Sequence, residues 1–150
     1  MILAITLHIL AAVIWVGGMF FAYMALRPTA AKLLEPPLRL TLWLNVFNHF
    51  FPWVWASMII LLASGGWMIV VFGGMASIGI HIHLMLLLGL VMSAIFVYLY
   101  FKPYRHLGQA VANSDWPTGG KALNQIRQLI AVNLTIGLIV VILASGGRYF

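Results

Sequence analysis

The sequence predicts an all-α membrane protein, a four-transmembrane-helix bundle with a parallel internal two-fold repeat. Three observations predict it. Of 150 residues, 64% are hydrophobic and only 7% charged, a balance foreign to a water-soluble domain. Four apolar stretches, roughly 3–26, 51–72, 80–101 and 123–146, each reach the ~20 residues that a helix needs to cross a bilayer. Finally, residues 7–28 (L-H-I-L-A-A-V-I-W-V-G-G-M-F-F-A-Y-M-A-L-R-P) return in outline at 82–103, at a constant offset of 75 positions. That offset pairs His8 with His83, Tyr23 with Tyr98, Arg27 with Lys102 and Pro28 with Pro103, which reads as a duplication with halves of about 1–75 and 76–150 in one transmembrane domain. Both copies run in the same direction, so an axis along the membrane normal would relate them.

The first span carries no basic leader and is longer than the apolar core of a secretory signal, so it reads as a resident helix. It is expected to end at Arg27-Pro28. Pro36-Pro37 then opens a mixed segment, too long for one upright crossing with the span that follows, and its early part is expected to be an interfacial or protruding amphipathic helix. Trp43, Trp53 and Trp55 are assigned to a headgroup-level aromatic belt. The third span descends to Lys102-Pro103, and a polar stretch leads to the fourth. The related segments L-L-A-S-G-G (61–66) and I-L-A-S-G-G (142–147) supply small residues that let helices approach closely.

The net charge of +6 is distributed as a topology signal. Arg27, Lys32 and Arg39 follow the first span, Lys102, Arg105, Lys121 and Arg127 lie between the third and fourth, and the link at 72–79 has no charge. The positive-inside rule then puts both termini on the periplasmic side of a bacterial inner membrane, with the basic segments meeting anionic lipid rather than nucleic acid. Arg127 is expected to snorkel to the cytoplasmic face. With no cysteine, thiolate metal sites and disulfides are excluded. The only acidic side chains, Glu35 and Asp115, fall in loops, which argues against ordinary ion-coupled transport.

The histidines remain. His8 lies about 6–9 Å inside the outer boundary at ~1.5 Å per residue, and His83 lies at the matching depth. Two imidazoles facing each other across an axis suit a bis-histidine haem b. The His8 face continues through Ala11, Ala12, Trp15, Gly18 and Met19, its small residues leaving room for a flat macrocycle beside Trp15, and His81 or Arg148 would balance the propionates. His81 points away from His83 and is the alternative ligand. The same residues also read as a copper ion site, with Met75, His81, His83 and His8 as donors. His49 and His106 read as interface or loop polarity, or else as a second, inner haem. Asn133, mid-span, is expected to hydrogen-bond a neighbouring helix, and the methionines to serve packing.

With those residues in view, the chain resembles the copper-resistance D (CopD) superfamily, to which membrane protoporphyrinogen oxidases of the HemJ type look related. The resemblance rests on L-H-I-L-A-A-V-I-W-V-G-G with His8 and Trp15, on F-F-P-W-V-W…L-L-A-S-G, and on I-R-Q-L-I-A-V-N-L. The CopD name implies copper uptake across the inner membrane; the oxidase relatives imply haem b and oxidoreduction. The chain departs from the oxidases: Phe21, Tyr23 and Met24 stand where they carry an arginine, and His83 stands near their lysine. The leading expectation is therefore a haem b protein in electron transfer with quinone or a periplasmic redox partner, and any enzymatic activity would be haem-dependent oxidoreduction. The alternatives are copper binding or import and a cofactor-free structural subunit, each compatible with homo-oligomerisation.

Overall fold

The computed structural model describes residues 1–147. The elements are α1 (Ile2–Phe21), a π-helical turn (Ala22–Leu26), α2 (Arg27–Leu33), α3 (Pro36–Val71), a single 3-10 turn (Met75–Ser77), α4 (Ile80–Phe101), α5 (Pro103–Ala112) and α6 (Trp116–Gly146). Four helical stretches are long and apolar enough to span a membrane: Ile2–Leu33, Pro36–Val71, Ile80–Ala112 and Trp116–Gly146. Only 17–22% of the residues in their apolar windows are buried, so the outward faces are as apolar as the core, as lipid contact requires.

The helices pair as two antiparallel hairpins, α1 with α3 and α4 with α6. Where they meet, small residues replace large ones. A Cβ on Gly137 of α6 would lie 3.0 Å from a Val16 methyl and 3.2 Å from Met92 Cε, so α1, α4 and α6 converge there. The reversal between α3 and α4 uses Gly73 and Gly74 at φ of +96° and +87°, a conformation open mainly to glycine.

The third span falls where the sequence put it, at Ile80–Phe101, but near the basic residues helix ends depart from the sequence reading in a consistent way. Pro28 does not stop the first span: the π turn, in which Arg27 N–H reaches Ala22 O, widens the helix ahead of the proline and the chain continues through α2. Residues 36–50 form no separate interfacial helix but the first half of α3. Their Leu40, Trp43 and Phe47 continue with Phe51, Val54 and Met58 as one buried stripe. Trp43 is thus a core residue rather than part of an interface belt, whereas Trp53 is exposed. The polar stretch after Pro103 is α5, whose Leu107 and Ala110 are buried against the bundle.

Every lysine and arginine among the described residues lies at the end of the bundle where α3 and α6 begin. At ~1.5 Å per residue the 36 residues of α3 reach about 54 Å, well beyond a ~30 Å hydrocarbon layer. The excess lies at this basic end, because charge is excluded from hydrocarbon. There an aromatic core of Trp43, Phe47, Phe51, Tyr100 and Tyr104 packs α3 against α4 and α5. Asp115 caps α6, its Oδ1 accepting from Thr118 N–H at 3.2 Å. Hydrogen bonding to Thr118 holds the Asp115 carboxyl below its ordinary range. A depressed carboxylate contributes stability above its unfolded pKa and loses it as pH falls through the folded one. Acidification below the ordinary carboxylate range should therefore fray the first turn of α6, seen as faster amide exchange at Thr118.

Candidate functional site

Polar groups inside the bundle are few, so each can be followed. Among the described residues the buried polar side chains are Ser57, Ser64 and Asn133. His8, half-buried on α1, turns its ring to α3, where Nδ1 lies 2.8 Å from Ser64 Oγ. Ser64 has one hydroxyl hydrogen and directs it back to the Ile60 carbonyl of its own helix. The hydroxyl oxygen therefore accepts from His8 Nδ1–H. That fixes the tautomer and leaves Nε2 with a free lone pair, the arrangement of a metal-ligating imidazole held by a partner on its other nitrogen. Gly65 makes room for the ring: a Cβ there would sit 3.4 Å from His8 Cε1.

The histidines of α4 are engaged elsewhere. His81 packs on Gly147 just beyond α6, where a Cβ would lie 2.9 Å from His81 Cβ, and its ring also crowds Gly79. His83 Nδ1–H donates to the Gly79 carbonyl at 3.1 Å. The offset of 75 pairs His8 with His83, yet it is His81 that meets the second A-S-G-G segment as His8 meets the first. His8 and His83 thus make their contacts on different elements, and among the described residues no three His, Asp or Glu gather as a metal site. The haem b reading gains no support from this geometry. Trp15, expected beside a macrocycle, is packed in the core with its ring edge-on to Phe96 at 6.1 Å. Met75 is exposed. His49 bonds the Asn45 carbonyl on the surface, His106 is exposed, and Arg148 lies outside the described residues.

Other donor atoms belong to residues that the sequence assigns to packing and helix contact. Met19, Met58 and Met92 are all buried in the hydrophobic core, their thioethers enclosed between the helices. Asn133 was expected to bond a neighbouring helix; instead its Oδ1 is buried with no hydrogen-bond partner. Gly137, one turn further along the same face of α6, is the residue that meets Met92. The bundle therefore holds an imidazole with a bare nitrogen near one end, soft thioethers deeper in its core, and an orphaned amide oxygen on α6.

Residues 44–146 match the family model described as copper resistance protein D. The chain belongs to the CopD family. No curated protein and no solved structure matches it. Family membership and the four membrane-length helices together make this a multi-pass membrane protein. The matched region contains Ser64, Met58, Met92 and Asn133 as well as the F-F-P-W…L-L-A-S-G and I-R-Q-L-I-A-V-N-L segments, while His8 precedes it. The match is to the copper-resistance family, and nothing in the comparisons supports a relationship to the membrane protoporphyrinogen oxidases.

Proposed function

We propose that this CopD protein handles copper as cargo within the membrane, taking Cu(I) at the His8 end of the bundle and passing it between the helices. The CopD match over 44–146 is the observation that carries this reading. The donor set agrees with it. Imidazole and thioether are ligands suited to Cu(I), and with no thiolate in the chain the ion would be held loosely enough to leave again. His8 Nε2 would be the entry ligand, with Met58 and Met92 as soft donors further in and Asn133 Oδ1 as an oxygen donor. The basic residues at the other end support a bacterial inner-membrane orientation with that end cytoplasmic and His8 periplasmic. In the same reading, the A-S-G-G contacts of both hairpins descend from one duplicated half within a single transmembrane domain.

Reconstituted protein should admit Cu(I) into chelator-loaded liposomes faster than protein-free liposomes do. His8→Ala should slow that uptake about tenfold, the loss of one ligand of modest strength, while His49→Ala on the far end leaves it unchanged. Uptake no faster than in empty liposomes would overturn the proposal. So would a purified protein that carries a Soret band and no copper, which would return the haem b reading.

A further inference from the structure

At the basic end, away from His8, a cavity of about 400 Å³ opens between the α1–α2 stretch, the start of α3 and the start of α6. Three guanidinium groups line it: Arg27, Arg39 and Arg127. Arg27 lies over the Tyr23 ring at 4.6 Å, and Arg127 is steadied by donating to Asn124 Oδ1. Arg27 and Arg39 are half-buried, so part of their hydration is already lost. The walls between them are aromatic, Trp43 and Trp116.

Three arginines converging on one cavity need negative charge, and this chain does not supply it. Its two acidic side chains are Glu35 and Asp115; Asp115 is committed to the α6 cap, and Glu35 is exposed and does not line the cavity. The first turns of α3 and α6 border the same space and add the positive ends of two helix dipoles. Arginine's planar fork matches phosphate oxygens, and the indole walls suit the apolar part of an amphiphile at headgroup level.

We propose that this cavity is a binding site for a phosphate group, carried by an anionic lipid headgroup or by a soluble phosphate. The site is independent of the copper reading, since it shares no residue with the His8 end.

The test uses the full chain in a neutral detergent, with intrinsic tryptophan fluorescence and thermal unfolding as readouts. Dioctanoyl phosphatidylglycerol, dioctanoyl phosphatidylcholine and inorganic phosphate are titrated separately. Saturable binding of the phosphatidylglycerol alone identifies the lipid source, and saturable binding of inorganic phosphate identifies the soluble one; either supports the site. Arg39→Gln should weaken that binding about tenfold, the loss of one charge-assisted contact. Exposed Arg127→Gln, the change folding depends on least, should weaken it several-fold. Arg105→Gln should leave it unchanged, since that guanidinium lies over Phe101 outside the cavity. No saturable binding of either anion, equal affinity for phosphatidylcholine, or an equal loss in Arg105→Gln would overturn the proposal.

Discussion

Replacing Phe47 by alanine is expected to lower the stability of the bundle by about 3–5 kcal/mol, as for a buried phenylalanine truncated to alanine in a close-packed core. Phe47 is only 2% exposed. Its ring stacks on Phe51 at 4.9 Å, lies 5.3 Å from Trp43 and meets Tyr104 edge-on at 6.3 Å. These contacts tie α3 to α5, so the cavity would open at the junction of two helices, beside the hydrogen bond that Tyr104 donates to Asn48 Oδ1. Location strengthens the expectation. Inside hydrocarbon, burying an apolar side chain exchanges one apolar surrounding for another and gains little beyond packing. Phe47 lies in the half of α3 nearer the basic end, where the helices outrun the hydrocarbon and unfolding would expose the ring to water. Trp53 is the control: larger, six residues along the same helix, and 61% exposed. Thermal unfolding in detergent should show a large loss for Phe47→Ala and a change near zero for Trp53→Ala. Similar losses for both would mean that the aromatic cluster is not the core of this end.

The four spans were legible in the sequence because apolar runs of membrane length need no tertiary information to be recognised. The ends at Val71, Phe101 and Gly146 were legible too, but near the basic residues prolines obscured how far the helices run. Pro103 does end α4, whose last residue is Phe101, but it also opens α5, where its missing N–H has no cost; Pro28 ends nothing, because the π turn at Ala22–Leu26 widens the helix ahead of it. What continues the helices is burial of Ala30, Leu40, Trp43, Leu107 and Ala110 against one another's elements, a property of packing that hydropathy along one chain does not contain. Trp43 shows the same limit. A tryptophan near a polar segment reads as an interface anchor until the neighbouring helices that enclose it are known.

At the site, the inward histidine of the first span was legible from its isolation in an apolar run, and copper was already the alternative reading. The partner was not legible. The A-S-G-G segment was recognised as a place of close helix approach, but that Ser64 rather than another residue meets His8 depends on the register of α1 against α3. The choice between His81 and His83 failed for a related reason. A constant offset in sequence pairs His83 with His8, whereas contact with the small-residue segment picks out His81.

Asn133→Leu is expected to make the protein more stable and less able to pass copper. Asn133 is 3% exposed, and its Oδ1 has no hydrogen-bond partner among the described residues. An unsatisfied buried polar atom costs about 1–3 kcal/mol, so an apolar side chain of similar size should recover at least part of that. A residue with this penalty and no compensating contact is the kind that function retains at the expense of stability. If Oδ1 serves the passing ion, Asn133→Leu should unfold at a higher temperature and show slower Cu(I) uptake in liposomes. Three outcomes separate the readings. A higher unfolding temperature with unchanged uptake would make Asn133 a packing defect with no part in copper handling. A lower unfolding temperature would mean that the amide makes a structural bond after all, and uptake would then have to be compared with Asn133→Gln, which keeps the oxygen. Only a rise in stability together with a loss of uptake assigns the orphaned oxygen to the cargo. That assignment would place a contact on α6, inside the matched CopD region, on the route that begins at His8.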